Sequence, residues 1–370
     1  MARQLLFLPG PVAVAQPVLD ATARPLINHR GEAFAQMLER VAGALRPAFG
    51  TAGEVVLLGS SGTGAMEAVV ANLFSPGDRL LSCPVGSFGK RFGAIARQYG
   101  CAVESLETPL GAALDPDALR RRLEADRGRE IAGVLLTHNE TSTGVACDMA
   151  ALAPILRDHG AISLVDSISG LGACEFRMDE WGYDAVVTAS QKGFAAPPGA
   201  AMVALSARAW KRSESASSPR FYFDLRRARD AARDGQTPWT PPISILFALD
   251  VALQRYRDGG MENAYARHAR YAQIVREALV ELGFTLVSQP GAHSPTVVAA
   301  YPPDGVRAAE LLRRLRETYG VVLAGGQEEL AGKIVRFGTM GEIAEADLRY
   351  ALDAIAGESR VTSGAAGSTA

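Results

Sequence analysis

Hydrophobic positions along this chain keep two rhythms. Short runs rich in Val, Ile and Leu read as buried strands at Glu54–Leu58, Arg79–Cys83, Val103–Leu106, Ala132–Thr137, Ala161–Asp166, Ala185–Ser190 and Ala200–Leu205. Between them, apolar residues recur at spacings of three and four. Phe34, Met37, Leu38, Val41 and Leu45 mark a helical stretch from Pro17 to Phe49, broken by a loop at Asn28–Gly31. Met66, Val69, Val70 and Leu73 give a helix over Ala65–Phe74 one buried face, and further helices follow at Lys90–Tyr99, Pro116–Ala125 and Met149–His159. Asp115 caps the 116–125 helix, with Pro116 in its first turn. Strands separated by helices predict an α/β architecture, a mainly parallel sheet with helices on both faces.

The pattern then changes. Ala209–Arg233 is rich in charge, serine and aromatics and predicts a segment wrapped over the surface. Gln236–Pro242 is a rigid loop carrying the hydroxyls of Thr237 and Thr240. Helices follow at Ile243–Tyr256 and Asn263–Leu282, the second with a stripe of Val275, Leu279 and Leu282. Beyond Gly283 an α+β module is predicted, with strands at Thr285–Ser288, Thr296–Ala300, Val321–Leu323 and Ile334–Phe337 and helices at Arg307–Tyr319 and Ala344–Ile355. The resulting division is an N-terminal arm over 1–14, turned by Pro9-Gly10-Pro11, a large domain over 15–256 and a small C-terminal domain over 257–358. The small polar residues of 359–370 predict a disordered tail.

Composition adds exclusions. A chain of 370 residues, 48% hydrophobic and 21% charged, is long enough for a large domain plus a smaller one. A formal net charge of -2 gives no electrostatic reason to expect nucleic acid or an acidic membrane as a partner. Cys83, Cys101, Cys147 and Cys174 are scattered without a C-x-x-C pair, which argues against a metal or disulfide framework and for a reducing cytoplasm. No apolar run approaches the roughly 20 residues that span a bilayer. The start, MARQLLFLPGPVAV, makes a poor signal peptide, so export is not indicated.

Three strand ends carry candidate chemistry. Lys192 follows the run Val186–Ser190 with no acidic residue within five positions on either side. Burying an unpaired ammonium is costly, so such a lysine either sends its head to water or lowers its pKa towards a neutral, nucleophilic amine. Ser61-Gly62-Thr63-Gly64 lies between a strand and a helix N-terminus. Alone it reads equally as an anion site and as a well-capped helix. Asp166 ends an uncharged strand at the edge where ligands of open parallel sheets bind. It reads equally as the partner of a pyridine nitrogen and as a cap of the next segment. A phosphate cup, a partner for a ring nitrogen and a Schiff-base amine together are what pyridoxal 5'-phosphate (PLP) needs.

The runs Ser60–Ala68, His138–Gly144, Val165–Ser169 and Ser190–Gly193, in that order, resemble the class V aminotransferases. More narrowly they are similar to the alanine–glyoxylate and serine–glyoxylate branch of fold-type I PLP enzymes, over about Pro9 to Gly341. The resemblance implies a fold-type I transferase with a mainly parallel seven-stranded sheet and a smaller C-terminal α+β domain. It implies Lys192 as Schiff-base lysine and proton carrier, and Asp166 on the pyridinium nitrogen. Ser61, Gly62, Thr63 and Gln191 would hold the phosphate. Phe88 would stack on the ring, Ile168 would bind the cofactor too, and Thr141 would approach its hydroxyl. Thr237 and Thr240 would reach the neighbouring subunit's cofactor, implying a homodimer with shared sites. Arg336 would clamp the substrate carboxylate. Two departures stand out: some relatives carry a tyrosine where Thr237 stands, and Phe194-Ala195-Ala196 after the lysine is unusual.

The expected reaction moves an amino group from a small L-amino acid, alanine or serine, to a 2-oxo acid such as glyoxylate or pyruvate. The rivals are a ureidoglycine–glyoxylate or 2-aminoethylphosphonate aminotransferase, a cysteine desulfurase-like lyase and, outside catalysis, an inactive partner subunit.

Overall fold

The computed structural model describes residues 4–366, with side chains described as far as Ser359. Its main sheet has seven strands in the order Val55–Leu58, Ala201–Leu205, Ala185–Ala189, Ile162–Asp166, Ile131–Thr137, Arg79–Ser82 and Ala102–Ser105. Only Ala201–Leu205 runs antiparallel to its neighbours; the rest is parallel. The period of two divides the strand residues between two cores. Leu57, Val165, Val186 and Met202 join helices Glu32–Phe49, Met149–His159 and Ile243–Gly259 on one face. Val56, Leu164, Val187 and Val203 join helices Gly62–Leu73 and Ser87–Gln98 on the other. Burial on both faces is why these strands read as unbroken apolar runs. Gly133 interrupts one of them because the Phe74 ring presses there: a Cβ would lie 2.3 Å from Phe74 Cζ.

A second sheet orders Leu5–Phe7, Val321–Gly325, Val335–Gly338, Val297–Tyr301 and Thr285–Leu286. Helices Met261–Glu281, Ala308–Tyr319 and Glu345–Ala366 share its core. Leu5–Phe7, read from sequence as part of an extended arm, is a strand here, parallel to Val321–Leu323. The Phe7 ring meets that of Phe337 at 4.7 Å between centroids.

Several boundaries differ from the sequence expectation, each for a local reason. The helix expected from Ala65 begins at Gly62, because the Ser61 carbonyl already accepts from Gly64 N at 3.0 Å. The helix expected from Lys90 begins at Ser87, so Phe88 sits in a first turn rather than in a loop. The stretch 209–233 carries two helices, Ala207–Ser213 and Leu225–Arg233, each opened by a side-chain cap from Ser206 or Asp224. The backbone where a tail was expected is helical from Ser359 through Ala366, and residues 367–370 of that tail lie outside the described residues.

Phe7 is 1% exposed and joins the N-terminal strand to the second core. Phe7→Ala is expected to cost about 3–5 kcal/mol, read as a lower urea midpoint. A loss below about 1 kcal/mol would mean that the strand is not held by this ring.

Candidate active site

The predicted groups gather at the carboxyl ends of the parallel strands. Asp166 closes Ile162–Asp166 in register with Thr137 and Val187 of the flanking strands. It is 3% exposed, and its Oδ1 accepts from Ile168 N at 2.9 Å. Lys192 stands half-buried on the turn after Ala185–Ala189, its Nζ donating to Pro9 O at 2.6 Å. Gly10 has φ +131°, a conformation that favours glycine, and its backbone lies close to the lysine: a Cβ there would lie 2.4 Å from Lys192 Nζ. Ser61 is the N-cap of helix Gly62–Leu73, yet its hydroxyl makes no cap bond and faces solvent. The first-turn N–H groups of Gly62 and Thr63 have no intrahelical partner. Gly62 is pressed against Ile168: a Cβ would lie 2.5 Å from its Cδ1.

A buried carboxylate ties two loops into one wall. Glu140 Oε2 accepts from Phe88 N at 2.9 Å and Gly89 N at 3.1 Å. Its Oε1 accepts from Ser142 N at 3.0 Å and Ser142 Oγ at 2.6 Å. The loop after Ile131–Thr137 thereby fixes the turn that presents Phe88. Behind Asp166, His138 shares a 2.8 Å hydrogen bond with Ser167 Oγ, and burial pushes its pKa down to about 4, so it stays neutral. Asn139 links the segment after Ile162–Asp166 to the one that leads into Val297–Tyr301 of the second sheet: its Nδ2 donates to Ser169 Oγ and Thr296 Oγ1, both at 2.8 Å, and its Oδ1 accepts from Ser294 Oγ at 2.7 Å.

Arg336 reaches in from the second sheet and is 6% exposed. Its Nε donates to Gly325 O at 2.7 Å and its NH1 to Thr141 O at 3.0 Å, so Thr141 and Arg336 are brought together. No carboxylate lies within ion-pair distance of Arg336 among the described residues. A planar guanidinium oriented by two carbonyls keeps its remaining N–H groups for a carboxylate.

The model of the family described as "Aminotransferase class-V" matches residues 19–340. The chain belongs to this family. It is a PLP-dependent aminotransferase. It is 38% identical over 346 residues to an L-aspartate–glyoxylate aminotransferase of Paracoccus denitrificans, covering 92% of this chain and 87% of that one. It is 37% identical over 354 residues to a protein of Synechococcus named soluble hydrogenase, small subunit, covering 95% of this chain and 92% of that one. The solved alanine–glyoxylate aminotransferase of Nostoc superposes with a TM-score of 0.92 at 30% identity, covering 96% of this chain and 95% of that one.

The residues of this aminotransferase fit PLP. Gln191 Oε1 is buried without a hydrogen-bond partner beside the lysine. The unused donors of Ser61, Gly62 and Thr63 suit a phosphate at a helix N-terminus. When bound, PLP supplies an aldehyde for an amine and an electron-poor ring that stabilises negative charge at the substrate carbon. Burial lowers the Lys192 amine to about 8, opposed by the Asp166 charge and helped by Arg336. Burial raises the Asp166 carboxyl to about 7, opposed by the Ile168 N–H and the charges of Lys192 and Arg91. A ring cation beside Asp166 would favour its ionised form.

Thr237 and Thr240 stand apart from this group, in a recess shared with Gly59 and Tyr222. The Thr237 hydroxyl donates to Trp239 O at 2.7 Å, and its carbonyl accepts from Arg30 NH1 at 2.7 Å. One residue of the mouth was missed. Arg91 lays its guanidinium 4.7 Å from the Phe88 ring centroid and donates to Thr63 Oγ1 at 3.3 Å, with no carboxylate at ion-pair distance among the described residues. It lies three positions past Phe88, a helical spacing that signals one face only once the helix is started at Ser87.

The lowered Lys192 value sets a pH dependence. Only the neutral amine attacks an aldehyde, so loading of PLP onto apoenzyme should accelerate as pH rises through about 8. Arg336→Gln removes a charge that disfavours the ammonium, and the midpoint should move upward. Stopped-flow absorbance of the PLP chromophore reads both, and a rate flat across this range contradicts the assignment.

Proposed function

We propose that the enzyme moves the amino group of a small L-amino acid, alanine or serine, to glyoxylate or pyruvate. The observation that carries this is Arg336, a nearly enclosed guanidinium oriented by two backbone carbonyls with part of its fork free. It would take the carboxylate common to donor and acceptor and set the substrate carbon near Lys192. Lys192 Nζ would then carry the proton at that carbon. Asp166 would hold the ring nitrogen's proton, and Ser61, Gly62, Thr63 and Gln191 the phosphate. Phe88 and Ile168 would flank the ring, and Thr141 would approach its hydroxyl. Both the Paracoccus and the Nostoc relatives have glyoxylate in their names, which supports that acceptor. The name of the Synechococcus relative is not carried over, because a lysine, a strand-end carboxylate and a carboxylate clamp suit amino-acid chemistry.

The reading includes a homodimer in which Thr237 and Thr240 reach the partner's cofactor. Its support is an aromatic patch beside their loop: Phe221 and Tyr222 are 66% and 48% exposed, and both stack on Trp239. Such a patch is what a second copy would cover. Four cysteines, all unbridged, support a cytoplasmic location.

L-Aspartate is a second donor to consider, for one reason. The unpaired Arg91 at the mouth could hold a second carboxylate, and the Paracoccus relative is named for L-aspartate. Mixing PLP-loaded enzyme with each donor separates the readings. Alanine or serine is expected to bleach the chromophore, and glyoxylate or pyruvate to restore it. Arg336→Gln should raise KM for donor and acceptor by about 10- to 100-fold, the worth of a charge-assisted hydrogen-bonded pair. Arg91→Gln should weaken aspartate and leave alanine unchanged if aspartate is used. No bleaching by any of the three donors would sink the proposal.

A further inference from the structure

Phe194 and Ala195 follow the lysine, and nothing in the proposed reaction uses them. They line a cavity of about 350 Å³ that includes none of Lys192, Asp166, Phe88 and Arg336. It lies where helices Ile243–Gly259 and Met261–Glu281, one from each domain, meet at Gly260, whose φ is +82°. The 341–343 turn of the second domain closes it, held back by Glu342 N donating to Ala13 O at 2.9 Å. Ala15, Val18, Ala252 and Ile343 form its apolar side.

The polar side is unbalanced. Arg255 pairs with Glu342 at 3.3 Å. Arg267 donates to Gly341 O at 3.1 Å and lies 5.8 Å from the Tyr271 ring centroid, but no carboxylate is within ion-pair distance of it among the described residues. Two arginines against one glutamate leave one positive charge in the wall. Burial lowers the Arg267 pKa, the mark of a desolvated cation without a full counter-charge. A monoanion with a short hydrocarbon part satisfies both sides, and the volume is within the range of small-molecule sites.

The cavity also touches the catalytic turn. Ala195 has φ +52°, and its N–H donates to Lys192 O at 2.9 Å. Phe194 packs edge-on against Tyr256 of the opposite wall, with centroids 5.6 Å apart. Whatever presses on Ala195 therefore acts on the turn that carries Lys192.

We propose that this cavity binds a small amphipathic monocarboxylate, with its carboxylate on Arg267 and its hydrocarbon against Ala195 and Ala252, and that its occupancy modulates the Lys192 turn. Hexanoate is a suitable probe, titrated calorimetrically into the PLP-loaded enzyme. One molecule should bind per chain. Arg267→Gln, which removes the charge, and Ala195→Met and Ala252→Leu, which fill the space, should each weaken binding by about tenfold or more. Arg336→Gln should leave hexanoate affinity within about twofold, because the substrate clamp is a different site. Bound hexanoate should change kcat for the amino donor rather than KM. Retained PLP absorbance and Tm identify the variants that fold, and any one of the three suffices. Absence of binding overturns the proposal. So does binding that disappears in Arg336→Gln and persists in the cavity variants. The calorimetric readout does not depend on which donor the enzyme uses, so its failure is separate from failure of the transaminase assignment.

Discussion

An amine taken out of water is the constraint on which the rest of this molecule depends. Lys192 can lose its charge near neutral pH only if the surroundings are dry and the nearest charges are few and fixed. The fold meets both requirements by placing the lysine on a turn between two cores. A carbonyl of the N-terminal segment takes one of its N–H bonds. Asp166 and Arg336 then pull its pKa in opposite directions, so neither can be moved without shifting it. Reactivity here is a balance of burial against placed charge rather than a property of the lysine alone.

The segments around those charges are fixed by buried polar side chains. Glu140 spends both carboxylate oxygens on one serine and two backbone N–H groups, and so holds the turn that presents Phe88. Asn139 likewise ties the segment after Ile162–Asp166 to the one entering the second sheet, through Ser169, Ser294 and Thr296. Arg336 is aimed by Gly325 O of its own sheet and by Thr141 O from the loop after Ile131–Thr137 of the main sheet. A displacement of the second sheet relative to the Thr141 loop would therefore re-aim the guanidinium.

The sheet and the strand-end groups were legible because burial on both faces leaves a plain mark: uncharged, mostly apolar runs ending in a single charged residue, as at Asp166. The second sheet was legible only in part, since Leu5–Phe7 is too short to announce itself and its partner strand lies more than three hundred residues away. Glycine-rich openings hid the true starts of two helices, because Ser61–Gly64 and Gly86–Gly89 have the composition of loops, yet the helices begin at Gly62 and Ser87, the second with the N–H groups of Phe88 and Gly89 held by Glu140. Starting the second helix three residues late detached Arg91 from Phe88. Glu140 was legible as a residue that orients its own loop through nearby Ser142, but its bonds to Phe88 and Gly89 and the side-chain bonds of Asn139 come from distant segments and could not be read locally. Thr237 and Thr240 remain an inference from family likeness, as this chain folds them against its own Trp239 and Gly59.

The N-terminal strand has a consequence for the order in which the site is built. Pro9 follows Phe7 by two residues, and Phe7 is paired with Leu323. The carbonyl that receives the Lys192 amine is thus anchored by a strand more than three hundred residues away in sequence. Contacts of such high sequence separation form late, after the loop-closure entropy of almost the whole chain has been met. Completion of the Lys192 turn therefore waits on pairing between segments more than three hundred residues apart.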